Sequence, residues 1–141
     1  MIDAAVVDAS VAVKWVVEEP DSGPARSLAH ARLEAPDLLH VECSNILWKK
    51  ARIGDLTRRD AAGCLDVLLH APVTLTGSRE LLDLALDLSL EWQHPVYDCV
   101  YVALAIRRGV PLVTADRRLA GAARKGRKRA ARVLLLTELP G

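Results

Sequence analysis

Asp8, Glu42, Asp98 and Asp116 are the residues of this sequence whose types and positions could carry chemistry. Taken singly, most of them have structural explanations. Asp8 and Asp116 each follow an apolar run and could simply cap a helix, because Asp is favoured just before a helix begins. Asp98 falls in a first helical turn, where the helix dipole favours negative charge. Glu42 is harder to dismiss. Leu38 and Leu39 precede it by four and three residues and Ile46 follows by four, which places it on an apolar helical stripe. Asp98 likewise shares a stripe with Tyr101, Val102 and Ala105. An inward-facing carboxylate must be paired, protonated or bound to a cation; no Lys or Arg lies among the residues of those local stripes, which leaves a distant partner or a cation. If the four acids converge, a hard cation such as Mg²⁺ or Mn²⁺ is suited to neutralise them. Mg²⁺ keeps several waters and so leaves room for phosphate oxygens.

The elements around these acids read as an alternation of strands and helices. Ala4 to Val7 is a short apolar run that ends at Asp8, with Ser10 as an N-cap before a helix from Val11 to Val17. Leu33 to Pro36 reads as a second strand, Leu38 to Arg52 and Thr57 to Leu69 as helices, and Val73 to Leu75 as a third strand. Ser78 is expected to cap a helix whose wide apolar face runs through Leu81, Leu82, Ala85, Leu86, Leu88 and Ser89 to Trp92. Pro95 at a first helical position and Gly109 as a stop delimit Val96 to Arg108. Pro111 to Thr114 and Val133 to Leu136 complete the strands, with a basic helix from Arg117 to Lys125 between them. Such alternation predicts an α/β class with a largely parallel sheet and helices on its faces, and ligands bound beyond the carboxyl ends of the strands.

A length of 141 residues predicts one domain, residues 1–141, with a core of Leu, Val, Ala and Ile, since Phe is absent. Cys43, Cys64 and Cys99 are odd in number and lack metal-site or redox spacing, so reduced thiols and a cytoplasmic location are expected. The first residues, Met1-Ile2-Asp3, show no basic stretch followed by an apolar one, and no segment approaches the roughly 18 apolar residues of a membrane span, so a soluble, unexported protein is expected. Net charge is only +1, yet Arg117, Arg118, Arg124, Lys125, Arg127, Lys128, Arg129 and Arg132 lie together with no acid among them. Beside Asp116, that stretch is a candidate RNA phosphate-binding edge.

Val6-Val7-Asp8-Ala9-Ser10, Ala35-Pro36-Asp37-Leu38-Leu39-His40-Val41-Glu42, Tyr97-Asp98-Cys99-Val100-Tyr101-Val102-Ala103-Leu104-Ala105 and Leu112-Val113-Thr114-Ala115-Asp116 occur in this order over nearly the whole chain. Together they resemble the acidic segments of the PIN-domain nucleases, in particular the VapC-type toxins of toxin–antitoxin pairs. The resemblance implies a parallel sheet flanked by helices, with Asp8, Glu42, Asp98 and Asp116 as metal-binding catalytic acids and Ser10 and Thr114 as their polar neighbours. It also implies metal-assisted hydrolysis of RNA phosphodiesters, a homodimer and a cognate antitoxin. Metal ions in such a reaction lower the pKa of an attacking water and stabilise the leaving oxygen.

Other chemistries fit less well. Ser10 lacks the Gly-x-Ser-x-Gly elbow, and His30, His40, His70 and His94 show no pairing logic and read as structural or exposed. The first strand leads into no Gly-x-Gly-x-x-Gly, and Ser10 supplies no second carboxylate for an aspartyl-phosphate phosphatase. The competing reading from another class is a binding module that keeps the fold without turnover. Trp15, Trp48 and Trp92 at helical positions point to core or interface.

Overall fold

The computed structural model describes residues 2–126 and 131–139, and its short β-branched and apolar runs form strands that alternate with helices. In chain order these are β1 (Ala4–Val7), α1 (Ala9–Ala12), α2 (Ser22–Ser27), β2 (Arg32–Pro36), α3 (Leu38–Arg52), α4 (Arg58–Leu69), β3 (Val73–Thr76), α5 (Leu82–Trp92), α6 (Val96–Arg108), β4 (Leu112–Thr114), α7 (Arg117–Lys125) and β5 (Val133–Leu135). All four strand pairings are parallel, in the spatial order β3-β2-β1-β4-β5. The chain therefore moves outward from β1 to β3, then returns to the other side of β1 with β4. That reversal between β1 and β4 opens a crevice beyond their carboxyl ends, where α/β sheets bind ligands.

Alternation along β1 divides the core between the two faces of the sheet. Val6 and Leu112 face one apolar cluster, which holds the buried residues of α3, α5 and α6, while Ala5, Val7 and Val113 face another with Val11, Ala25, Leu28 and Leu136. Helix α6 runs across the centre of the first cluster, with Cys99 to Ala105 wholly or nearly wholly buried. Its end is set by Gly109, whose φ of 66° is the left-handed conformation that glycine adopts without a Cβ clash. No helix among the described residues is long and apolar enough to cross a membrane.

Several local expectations are corrected. Asp8, with extended backbone, caps α1 by accepting from the Val11 N–H, and Ser10 lies inside the first turn, so the capping role falls two residues earlier than expected. The helix expected from Val11 to Val17 is shorter and divided, as α1 passes into a 3-10 turn at Val13–Trp15. Ser78 caps no helix. It donates to Asp37 across the β2–α3 junction, and α5 starts only at Leu82 after a 3-10 turn at Ser78–Leu81. Pro95 is the residue before α6 rather than its first. The apolar face of α5 is also narrower than expected. Leu81, Ala85, Leu88 and Trp92 are buried, but Leu82 and Leu86 remain about half exposed, because only the stripe facing α6 is covered.

Candidate metal centre

Asp8 is presented by the carboxyl end of β1 and Asp116 by the turn after β4, while Glu42 and Asp98 project from α3 and α6. All four line one open cleft of about 510 Å³, which Ser10, Asn45, Leu38, Val41, Ile46 and Tyr97 help to form. The four acids singled out in the sequence are thus brought together. Their closeness is also electrostatic, since the Asp98 charge raises the pKa of both Asp8 and Glu42.

Asp8 is the most buried of the four, with 5% of its surface exposed. Its Oδ1 accepts from Ser10 Oγ at 2.6 Å and from the Val11 N–H at 3.2 Å, and its Oδ2 accepts from Thr114 Oγ1. Ser10 and Thr114 also hold the turn that follows β4. Ser10 Oγ accepts from the Ala115 N–H and Thr114 Oγ1 from the Asp116 N–H, each at 3.0 Å. Two hydroxyls therefore lock the end of β1 to the turn after β4 and orient the Asp8 carboxylate. Burial nevertheless outweighs these bonds and lifts the Asp8 carboxyl to about 6, Asp98 adding to the rise.

Glu42 is half-buried and accepts from Tyr101 Oη at 2.6 Å. Desolvation raises its pKa, Asp98 contributes further, and the tyrosine hydroxyl opposes both. Burial and the Glu42 charge push the Tyr101 phenol far above its usual range, so it serves as a donor only. Asp116 caps α7 through Oδ1, which accepts from the N–H groups of Arg118 and Leu119 at 2.9 and 3.3 Å.

The sequence reading missed His94. It is buried, and its Nε2 lies 2.7 Å from Asp98 Oδ2. Gln93 adopts the left-handed conformation at the end of α5, after which the His94 N–H donates to the Ser89 carbonyl and Ser89 Oγ donates to the His94 carbonyl. The ring is thereby fixed against the first turn of α6. The available signal was the spacing of four between His94 and Asp98, which bridges the Pro95 boundary rather than lying within one helix. His94, Asp98 and Asp116 each offer a ligand atom within 4.8 Å of the others.

The donor set suits a divalent cation. It consists of carboxylates with one imidazole beside them, and the deepest acid is desolvated, whereas Glu34 and Asp37 outside the cleft are engaged by Arg108 and Ser78. His94 engages Asp98 Oδ2, so in a metal-binding site the imidazole would serve as a positioning residue for that carboxylate. Loss of such a partner typically weakens metal affinity 10- to 100-fold. In a Mn²⁺ titration followed by thermal shift, His94→Ala is expected to move the midpoint upward by about that factor, with His94→Gln recovering part of the loss. An unmoved midpoint would make His94 a packing residue.

The exposed charges lie nearby. Arg117 and Arg118 are exposed at the start of α7, whereas Arg124 pairs with Glu138. Arg127, Lys128 and Arg129 lie outside the described residues. Of the tryptophans, Trp92 is buried, Trp15 donates to the Ala25 carbonyl at 2.9 Å, and Trp48 is exposed under the Arg52 guanidinium.

A family model described as PIN domain matches residues 5–125. Ribonuclease VapC3 of Pyrobaculum aerophilum is 39% identical over 119 residues, covering 82% of this chain and 91% of that protein. The crystal structure of PAE2754 from the same organism superimposes with a TM-score of 0.71 at 25% identity, covering 96% of this chain and 92% of the other. A structure of VapBC2 from Rickettsia felis, bound to a DNA fragment from its promoter, gives a TM-score of 0.66 at 13% identity, with coverage of 94% and 98%.

Proposed function

This chain belongs to the PIN-domain family, and from that premise we propose that it is a divalent-metal-dependent endoribonuclease, one domain over residues 1–141, acting as the toxin of a toxin–antitoxin pair. The observation that carries the reading is the convergence of Asp8, Glu42, Asp98 and Asp116 in one cleft at the β1–β4 reversal. The related Ribonuclease VapC3 supports the activity. The VapBC2 neighbour supports an antitoxin as partner, and a homodimer is proposed on the family resemblance alone.

In this proposal Asp8, Glu42, Asp98 and Asp116 hold Mg²⁺ or Mn²⁺. When bound, the ion supplies an activated water and stabilises charge on the leaving oxygen. The chain's own residues orient the reaction. Ser10 and Thr114 fix both oxygens of Asp8, Tyr101 holds one oxygen of Glu42, and His94 holds one of Asp98. Each acid therefore keeps its direction without reorganising as charge develops. No side-chain nucleophile is required. Arg117, Arg118 and Lys125 are proposed to contact RNA phosphates, with Arg124 contributing less because Glu138 shares its charge. The cytoplasm is the proposed compartment, in keeping with free Cys43, Cys64 and Cys99. Burial lifts the Cys43 thiol to about 12, which makes it unreactive.

The direct test is product chemistry. Purified protein with Mg²⁺ or Mn²⁺ is expected to cut single-stranded or loop RNA, to stop on chelation and to leave a 5′-phosphate. Recovery of a 2′,3′-cyclic phosphate would mean that the ribose hydroxyl attacked, and the hydrolytic reading would be wrong.

A further inference from the structure

Beside the carboxylate cleft lies a second, smaller pocket of about 220 Å³, lined by Ser10, Val13, Lys14, Glu19, Ile46, Lys50 and Ala115. Ser10 and Ile46 line the cleft as well, so the two spaces adjoin. Lys14 stands four residues beyond Ser10, and Lys50 four residues beyond Ile46. The backbone of each lysine thus lies about one helical turn, roughly 6 Å, past a residue of the cleft. The segments that carry them are those whose starts bear Asp8 and Glu42.

Lys14 Nζ lies 3.7 Å from Glu19 Oε1 and Lys50 Nζ 3.2 Å from Glu19 Oε2. One carboxylate is shared between two ammonium groups, which leaves the cluster with one excess positive charge. Both lysine side chains are largely withdrawn from solvent, at 11% and 19% exposure, so this charge is less screened than a surface charge. A lysine has three donors, and Glu19 engages only part of that capacity.

We propose that this pocket holds an RNA phosphate next to the scissile one, with Lys14 and Lys50 as its ligands and Glu19 as the counter-charge that splays and moderates them. The proposal rests on the ribonuclease reading above. It accounts for how a polyanion approaches a cleft whose own charges are acidic: the strand is held by its neighbouring phosphate while the scissile group meets the carboxylates and their cation.

Charge removal at the two ends of the triad should act in opposite directions. Initial rates of cleavage of a single-stranded RNA oligonucleotide are measured from about 50 to about 200 mM KCl, the range over which phosphate contacts weaken. Lys14→Gln and Lys50→Gln are each expected to raise KM about fivefold and to flatten the slope of log kcat/KM against log salt by about 0.7, the value for one phosphate contact on a single strand. Lys50→Arg should retain the wild-type slope. Glu19→Gln should steepen the slope and lower KM, even if it costs thermal stability. A purely structural triad predicts lower melting temperatures in all three neutralised variants with KM and slope unmoved, and that outcome overturns the phosphate pocket alone. Wild-type protein that cuts no RNA with either ion overturns the ribonuclease reading and this proposal with it.

Discussion

Replacing Asp8 by Asn is expected to lower the rate of metal-dependent RNA cleavage on the order of 10³-fold, while the protein still folds. The size follows from the several kcal/mol that a positioned cation contributes to stabilising a phosphoryl transition state, at about 1.4 kcal/mol per factor of ten. Asp8 is the most buried of the acids that line the proposed site, so removal of its charge should weaken cation binding. The fold has a way to tolerate the change. Asn Oδ1 can still accept from the Val11 N–H and Ser10 Oγ, and Thr114 Oγ1 can accept from Asn Nδ2 while turning its proton toward Ser10 Oγ, 3.4 Å away. Asp37→Asn is the matched control. That acid lies in the same sequence segment as Glu42 but is exposed and bonded to Ser78, outside the cleft. Its variant should cleave like wild type. Undiminished cleavage by Asp8→Asn, or equal loss in Asp37→Asn, would refute the assignment, and loss of RNA binding without any metal-dependent turnover in wild type would favour a binding module.

The second large effect is on stability, and its sign changes with metal. In the metal-free protein the Asp8 carboxyl titrates near 6, above its ordinary value of 3.8, chiefly because burial disfavours the charged form. The folded state then binds this proton more tightly than the unfolded chain does. Any stabilisation from that proton is fully present below about pH 4 and is lost as pH rises through 6, so at neutral pH the ionised group costs the fold up to about 3 kcal/mol. Glu42 is raised in the same direction. The melting temperatures of apo wild type and apo Asp8→Asn should therefore nearly coincide at about pH 4. They should separate as pH climbs to about 6, with the Asn variant several degrees higher at pH 7 and above. Saturating Mn²⁺ should reverse that order. At a hundredfold excess over its dissociation constant, a ligand stabilises the protein that binds it by about 2.7 kcal/mol, and the variant binds less well. Thermal melts across this pH range, with chelator and with metal, make the measurement. If apo Asp8→Asn melts lower than wild type at every pH and metal leaves wild type unmoved, Asp8 is a structural hydrogen-bond hub and the metal centre is disproved.

Local sequence determined a large part of this molecule. The alternation of short apolar runs with helical stripes set the α/β class, and the bounds of α3 and α6 agree with the expected Leu38 to Arg52 and Val96 to Arg108, because their periodicity and the glycines that follow them, Gly54 and Gly109, are local signals. The four acids were legible for a similar reason. Two stand at strand ends and two on apolar stripes, positions whose cost is visible without any tertiary contact. Tertiary structure decided the rest. Which of Asp8 and Ser10 caps α1 depends on the extended backbone at Asp8, which β1 imposes by pairing with β2 and β4. The pairing of His94 with Asp98 requires a left-handed turn at Gln93 and the packing of α5 on α6, so periodicity within either helix could not show it. Ser10 and Thr114 are 104 residues apart and meet on Asp8 only because β4 returns to the free side of β1. The half exposure of Leu82 and Leu86 has the same origin: an apolar stripe states that burial is favourable, but only the placement of neighbouring elements decides which of its residues are covered.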